Sequence, residues 1–275
     1  MVTVKNLSFS YPSQEVLKDI SMEMKEGCIY GLLGENGVGK TTLLTLLCGL
    51  KKPAAGSIEI EGRDPYDRLP SLLADQFYLP DEVEALNEKA FSFAASRGVF
   101  YPNFSADNFK ALLEEFEVDG EKKMNTMSAG QLKKTWIAFA LATGVKYYYL
   151  DEPTNGLDIP SKMQFRRVVA NNMTDERTLI ISTHQVHDVE SLLDHILILS
   201  QSQLLLDASV GDICDRYSFE YRAPGSNSDD VLYSEPSVQG NAVICQRQED
   251  MNETPLNLEL LFNAVTMNKI HFDNR

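Results

Sequence analysis

The chain has 275 residues, enough for one large domain or for one domain with an appendage. Hydrophobic residues make up 43% of it and charged residues 24%, proportions typical of an ordinary soluble globular protein. The formal net charge of −15 and the sequence pI of about 4.7 argue against a protein that coats nucleic acid, because such proteins need a basic face.

The sequence carries no pattern of a secreted or membrane-spanning chain. The N-terminal MVTVKNLSFSYPSQ lacks the apolar stretch of a signal peptide, and no run of about 18 apolar residues occurs. The absence of a C-x-x-C pair argues against a disulfide scaffold or a zinc site and favours a reducing compartment. The cysteines concerned are Cys28, Cys48, Cys214 and Cys245. We therefore expect a chain that does not cross a membrane by itself.

The first 64 residues predict strands around one helix. VTVKNLSFS near the start and GSIEIEGRD at 56–64 alternate apolar and polar residues, as half-exposed strands do. CIYGLLG at 28–34 is apolar throughout and predicts a buried parallel strand. It leads into a glycine-rich loop and then TTLLTLLCGL, a helix that can end at Gly49.

Strands then alternate with helices after an acidic stretch. Residues 82–125 lack a strand pattern, so we predict a helical insertion there, followed by a helix at GQLKKTWIAFALATG. The remaining predicted elements are strands at VKYYYLD and RTLIISTH, helices at PSKMQFRRVVANNM and VHDVESLLD, and a hairpin of HILILS with QLLLDAS. This alternation is typical of an α/β protein with a parallel sheet.

From about residue 208 onward the pattern weakens. YRAPGSNSDD predicts a loop and LNLELLFNAV predicts a helix, but no functional motif can be read in this region. We expect residues 208–275 to form a small α/β appendage that packs on the preceding domain or on a second copy of it. A regulatory or ligand-sensing role is the alternative.

Within GENGVGKTT at 34–42, residues 34–41 match the pattern G-x-x-x-x-G-K-[ST] of a phosphate-binding loop. The glycines allow backbone N–H groups to converge on a phosphate, Lys40 adds a positive charge near the β- and γ-oxygens, and the Thr41 hydroxyl can ligate Mg²⁺. The buried strand before the loop and the helix after it are the context that this motif requires. The residues predicted to bind ATP here are Gly34, Asn36, Gly37, Gly39, Lys40, Thr41 and Thr42.

Two further strands end in residues that suit phosphate chemistry. The strand at YYYL leads into Asp151 and Glu152, and an acid at this end of a parallel strand can anchor Mg²⁺ beside a phosphate loop. We predict Asp151 as a magnesium ligand and Glu152 as the group that orients or deprotonates an attacking water. His184 closes RTLIISTH and can contact a γ-phosphate oxygen. The predicted catalytic residues are therefore Glu152, His184 and Lys40.

A second candidate phosphate-binding group, MSAGQ at 127–131, precedes a helix and taken alone could be an ordinary helix cap. However, GENGVGKTT, MSAGQ, YYYLDEPTNGLD and the histidine of STH occur in the order and spacing of ABC-transporter ATPases. Residues 1–207 resemble that family. The resemblance implies a P-loop NTPase core with a mixed sheet, an antiparallel β subdomain and a helical subdomain at about 82–135, with residues 208–275 as an extension.

In that family the signature L-S-G-G-Q caps the nucleotide held by the other subunit. The resemblance therefore implies that Ser128, Gly130 and Gln131 bind the ATP of a second ATPase subunit, with a homodimer favoured. This chain departs from the signature with Met127 and Ala129. Since Ala129 keeps its N–H, binding should survive if its φ is negative.

Three more site residues are implied by the resemblance. Tyr11 is similar to the aromatic residue that stacks on adenine, and Asp158 resembles the acid that reaches the partner's site. At the family's switch-glutamine position this chain has Asp81, while Gln76 lies five residues too early. Because Asp is short and charged, we predict that Asp81 is a third metal ligand, reaching Mg²⁺ only through water.

The resemblance implies an ATPase subunit that uses ATP and Mg²⁺, dimerises around ATP and drives a separate transmembrane subunit. Export is favoured, because SRGVFYPNFSADNFKALLEEFEV resembles the helical subdomain of a bacterial exporter-like branch. The chain would lie at the cytoplasmic face of the cell membrane, held there by its partner, with no direct binding to nucleic acid. One alternative is a soluble ABC-type ATPase acting on ribosomes or nucleic acid, which the single module and acidic charge disfavour. Another is a module that senses ATP but barely hydrolyses it.

Overall fold

Twelve strands in three sheets and eight α-helices form the part of the chain that the computed structural model describes, residues 1–223, 230–238, 240–247 and 254–272. The strands are β1 (Val2–Tyr11), β2 (Gln14–Met24), β3 (Ile29–Leu33), β4 (Ala55–Ile60), β5 (Gln76–Leu79), β6 (Tyr147–Asp151), β7 (Thr178–Thr183), β8 (His195–Ser200), β9 (Gln203–Ser209), β10 (Tyr217–Arg222), β11 (Val231–Ser237) and β12 (Gly240–Gln246). The helices are α1 (Lys40–Leu47), α2 (Pro70–Leu73), α3 (Ala90–Gly98), α4 (Ala106–Glu115), α5 (Ala129–Ala142), α6 (Ile159–Asn172), α7 (Val210–Arg216) and α8 (Leu258–Thr266).

The central sheet is mixed and has six strands in the order β5-β6-β7-β3-β8-β9. All neighbouring strands are parallel except β8 and β9, which form the predicted hairpin. Strands β3, β6 and β7 are buried along their whole length, which explains the apolar runs within their sequences. Since they are parallel, their carboxyl ends meet at one edge of the sheet.

Each face of this sheet contributes to a different hydrophobic cluster. Leu32 and Tyr149 point toward α1 and the antiparallel sheet β2-β1-β4, whereas Leu33 and Leu150 point toward the other helices. This follows from the alternation of side chains along a strand. The antiparallel sheet closes the first cluster with the alternating apolar residues of β1 and β4, namely Val2, Val4, Ile58 and Ile60. The predicted P-loop NTPase architecture, with its mixed sheet and antiparallel β subdomain, is confirmed.

Helices α3, α4 and α5 pack around Phe139 in the predicted helical region. Its ring centroid lies 4.7 Å from that of Phe93 and 6.2 Å from that of Phe109. The prediction of helix from residue 82 was wrong for 82–89, since α3 begins at Ala90. The backbone carbonyls of Glu88 and Leu86 instead accept hydrogen bonds from the backbone of Met124 and Asn125, and this tertiary pairing overrides helix propensity.

The segment after His184 also differs from its prediction. VHDVESLLD forms two short 3₁₀ turns, Val186–Asp188 and Glu190–Leu192, instead of an α-helix. Polar groups of these turns form hydrogen bonds with residues distant in sequence. Arg166 donates to the Asp188 carbonyl, and the Glu190 carboxylate accepts from the backbone of Leu258.

The C-terminal region adds a third sheet, in the order β10-β12-β11, together with α7 and α8. The boundary predicted at 207 falls inside β9, which ends at Ser209. Leu261 and Val265 of α8 belong to the same cluster as Ile196 and Ile198 of β8, so this region shares the hydrophobic core of the central sheet. The predicted loop YRAPGSNSDD begins as strand β10, and its residues 224–229 lie outside the described residues.

None of the helices in the described ranges has the length and apolar character needed to cross a membrane.

Candidate functional site

The phosphate-loop motif forms a tight turn between β3 and α1. Lys40, only 6% exposed, donates from Nζ to the carbonyls of Gly34 at 2.8 Å and Glu35 at 3.2 Å. Gly39 has a φ of +116°, and a Cβ there would lie 2.9 Å from a methyl group of Val16, so only glycine fits without strain. The loop thus holds a buried ammonium group beside backbone N–H groups at a helix start.

The predicted ATP ligands of this loop do not all face the same space. A cavity of about 350 Å³ is lined by Tyr11, Gln14, Val16, Asn36, Gly37, Gly39, Lys40, Thr41, Thr42, Asp81, Asp151 and Glu152. Gly34 is not among them. A Cβ on Gly34 would approach the carbonyl of Leu199 to 2.6 Å, so this glycine is required by close packing behind the loop.

Asp151, at the end of β6, accepts hydrogen bonds from three hydroxyl groups. The Thr41 hydroxyl donates to its Oδ2 at 2.6 Å, and the Ser182 hydroxyl donates to its Oδ1. Tyr78 also reaches Oδ2, at 3.5 Å, and burial, with Asp151 next in effect, raises the pKa of this phenol well above its usual value. Hard oxygen donors of this kind are the ligands that Mg²⁺ prefers, so Thr41 and Asp151 fit a magnesium site.

Glu152 lies between two nitrogen groups. Its Oε1 is 3.3 Å from Lys40 Nζ and 2.9 Å from His184 Nδ1, and the residue is 8% exposed. Its backbone has a φ of 45° and donates to the carbonyl and hydroxyl oxygens of Ser182. The structure therefore brings the three predicted catalytic residues into direct contact, and a carboxylate in this position could accept a proton from water.

Tyr11 stands at the same cavity with its ring partly exposed. Its hydroxyl is 3.4 Å from the Thr42 hydroxyl, and Lys51 Nζ lies 4.8 Å from its ring centroid. The hydrogen bond with Thr42, followed by that with Lys51, lowers the pKa of Tyr11. Phe9 packs edge-on at 5.1 Å and fixes the ring. The arrangement offers an aromatic face on which a purine could stack.

Asp81, predicted as a metal ligand, lines the cavity, and its carboxylate already accepts hydrogen bonds from two other side chains. Lys133 Nζ lies 3.3 Å from its Oδ1, and Asn155 Nδ2 donates to the two carboxylate oxygens at 3.2 and 3.3 Å. Gln76 is buried in β5, where its amide contacts the Cys48 carbonyl, and does not line the cavity. Within the described part of the chain, no group of three or more His, Cys, Asp or Glu side chains could hold a metal ion by itself.

The second motif builds the start of α5. Ser128 is the N-cap: its hydroxyl accepts from the Gln131 backbone at 3.2 Å, and the Gln131 side chain accepts from the Ser128 backbone at 3.2 Å. Because α5 begins at Ala129, that residue has helical, negative φ, which is the condition set above for phosphate binding.

Asp158 caps α6 and lies close to the second motif. It accepts from the backbone of Ser161 at 2.9 Å, and hydrogen bonds with Ser161 lower the pKa of its carboxyl. A second cavity, of about 290 Å³, is lined by Ser128, Gly130, Gln131, Lys134, Gly156, Asp158 and Ser161. The two cavities have no residue in common, so a single chain keeps its two groups of predicted ATP ligands apart.

Sequence reasoning gave no individual role to four residues that hydrogen-bond to Asp81, Asp151 or Glu152: Tyr78, Lys133, Asn155 and Ser182. Two of them had a usable signal, since Asn155 belongs to the quoted NGLD segment and Ser182 stands two residues before His184. Lys133 had none, because a lysine in an amphipathic helix is ordinarily solvent-exposed.

Comparison with known proteins agrees with this geometry. A profile of the family described as “ABC transporter” matches residues 17–155, slightly more than half of the chain. The chain is 32% identical over 218 residues to the SkfA peptide export ATP-binding protein SkfE of Bacillus subtilis, covering 76% of this chain and 90% of the relative. It is also 32% identical over 213 residues to the bacitracin transport ATP-binding protein BcrA of Bacillus licheniformis, covering 74% and 68%. A solved structure titled as the ATP binding subunit of an ABC transporter superposes with a TM-score of 0.71 at 25% identity, covering 78% and 91%.

Proposed function

Since this chain belongs to the ABC transporter family, we propose that two copies of it bind and hydrolyse ATP with Mg²⁺ between them and thereby drive a separate membrane subunit. The observation that carries this proposal is the separation of the two cavities. One is lined by phosphate-loop residues together with Asp151 and Glu152, the other is lined by residues of the signature together with Asp158, and the two share no residue. A second copy would bring one cavity of each kind together at each nucleotide, as two halves of one site.

The surface beside the signature cavity supports a dimer. Ile159 and Met163 follow Asp158 one helical turn apart and are 77% and 60% exposed. Apolar side chains on one helix face next to a half-site suit a surface that a second copy covers.

The residues of the first cavity, and His184 beside Glu152, suit the roles predicted for them. Lys40 and the backbone N–H groups of the loop would bind the phosphates, while Thr41 and Asp151 would hold Mg²⁺. The metal ion, when bound, supplies positive charge that neutralises the phosphate oxygens during phosphoryl transfer. Glu152 would accept the proton of the attacking water, and His184 would orient the Glu152 carboxylate and reach the γ-phosphate.

A membrane partner and export are the finer parts of the proposal. The names of the two relatives above refer to peptide export and to bacitracin transport. Between α3 and α4, Val99 and Phe100 are 76% and 72% exposed, and they offer the apolar contact that a membrane subunit would cover. The chain would then work at the cytoplasmic face of the membrane without spanning it. The net charge of −15 gives the ribosome or nucleic-acid alternative no support.

The test is Glu152→Gln in the full chain. The amide fills the same volume but accepts a proton far less readily, so ATP turnover should fall by roughly 10²–10⁴-fold. ATP binding should persist, and ATP should shift the variant from monomer to dimer in analytical ultracentrifugation.

A matched control is Glu114→Gln, an exposed residue of α4, which should leave turnover and the monomer–dimer equilibrium unchanged. Undiminished hydrolysis in Glu152→Gln would refute its role as the base. A variant that stays monomeric with ATP and Mg²⁺, even with its membrane subunit, would refute the composite site.

A further inference from the structure

One side chain of the signature helix α5 contacts Asp81, a residue that lines the 350 Å³ cavity of its own chain. Lys133, in the second turn of α5, donates from Nζ to the backbone carbonyl of Asp81 and lies 3.3 Å from its Oδ1. Asn155, three residues beyond Glu152, donates to the same carboxylate. Three segments therefore meet at Asp81: the loop after β5, the signature helix and the loop that follows the predicted base.

The charges at this junction depend on one another. The Lys133 side chain is 5% exposed, whereas that of Asp81 is 41% exposed. Burial lowers the pKa of Lys133, and the carboxylate of Asp81, then those of Asp151 and Glu152, act in the opposite direction. A buried ammonium group without a counter-charge is strongly unfavourable, so Lys133 needs Asp81.

Asp81 in turn needs Lys133. Its carboxylate lines the cavity that also contains Asp151 and Glu152, where the phosphates of ATP would add further negative charge. An uncompensated third carboxylate would repel the nucleotide, because like charges within a few ångströms are unfavourable. A neutral side chain at position 81 would avoid that repulsion but would leave Lys133 unpaired.

We propose that Lys133 is a positioning residue for ATP hydrolysis, which neutralises Asp81 and holds it against Asn155, so that the signature helix is tied to the loop that carries Glu152. The proposal rests on the function proposed above. In this proposal, Asp81 is the ion-pair partner of Lys133 and not a metal ligand. Helix α5 would contact the nucleotide of the partner subunit, while Glu152 would act on the nucleotide of its own chain. The ion pair would connect these two elements within one chain.

The test is a double-mutant cycle in the full chain with Asp81→Asn, Lys133→Gln and the double variant. Each single change leaves one charge unpaired, so kcat should fall roughly tenfold while KM for ATP changes less. The double variant removes both charges and should recover to within about threefold of the original kcat. Lys89→Gln, which breaks an exposed pair with Glu121, is the control and should leave kcat unchanged.

The thermal midpoint with and without Mg²⁺ and ATP is measured for every variant, so that a folding defect is separated from a catalytic one. Losses in kcat that simply add in the double variant would overturn the proposal, because Asp81 would then act on its own. An unaffected Lys133→Gln would also overturn it. If the original chain does not hydrolyse ATP, the proposed function fails. The double-mutant cycle is then measured through the shift in thermal midpoint that ATP produces, and additive effects of the two substitutions on that shift would refute the coupling of Lys133 and Asp81.

Discussion

Leu261 offers a test of whether the C-terminal region and the ATPase core form one cooperative unit. The side chain is fully buried in α8 and belongs to the cluster that includes Ile196 and Ile198 of β8. Replacing it with alanine leaves a cavity, so we expect the free energy of unfolding to fall by about 2–5 kcal/mol. For a chain of 275 residues that loss lowers the thermal midpoint by roughly 3–9 °C.

The chain contains a single tryptophan, so its fluorescence during unfolding reports one region of the structure. Trp136 is in α5, where its ring packs 4.8 Å from that of Phe93 and its Nε1 donates to the Glu84 carbonyl. Its fluorescence therefore reports the unfolding of the helical region, on a different element from Leu261. If the core is shared, Leu261→Ala should shift the tryptophan transition together with the far-UV circular dichroism transition.

Lys269→Ala, an exposed change just after α8, is the control and should shift neither transition. The reasoning is refuted if Leu261→Ala produces a separate early transition in circular dichroism while the tryptophan transition stays in place. That result would make the region after Ser209 an independently unfolding appendage.

Two further predictions concern the halves of the proposed composite site. Ser128→Ala removes the cap of α5, worth about 1 kcal/mol, and one hydrogen-bond donor to the phosphate, so the ATP-dependent dimerisation of the Glu152→Gln variant should weaken. Ser128→Thr keeps the hydroxyl and should preserve dimerisation. Equal dimerisation by the Ala and Thr variants in ultracentrifugation would contradict the role of the hydroxyl. Thr41→Ala should make ATP turnover insensitive to Mg²⁺ added back after chelation. Thr41→Ser retains the hydroxyl and should keep the response to Mg²⁺. If the Mg²⁺ titration of Thr41→Ala is unchanged, Thr41 is not a metal ligand.

The elements that sequence predicted best are those whose pattern has one cause. Strands β3, β6 and β7 are buried on both faces, and their apolar runs were visible as such. The phosphate loop was equally clear, because its glycines are required by geometry and its lysine by charge. Their meeting at one sheet edge then followed from parallel topology.

The elements that sequence missed depend on distant partners. The sequence from β10 to β12 has no regular pattern of apolar residues, and these three strands are stabilised by pairing with one another. The turns after His184 are fixed by groups such as Arg166, which the local sequence does not contain. The bond between Lys133 and Asp81 spans 52 positions, so neither residue's neighbours indicate it.

The structure, and not the sequence, explains how the consecutive residues Asp151 and Glu152 both line one cavity. Successive side chains of a strand point to opposite faces, so Asp151 and Glu152 would diverge if β6 simply continued. Glu152 instead adopts left-handed φ, a conformation that costs about 1–3 kcal/mol for a residue other than glycine and persists only where its surroundings impose it. Ser182 imposes it, because its carbonyl and hydroxyl oxygens accept from the Glu152 backbone while its hydroxyl donates to Asp151. One serine on β7 thus directs the first carboxylate toward Thr41 and turns the second toward Lys40 and His184.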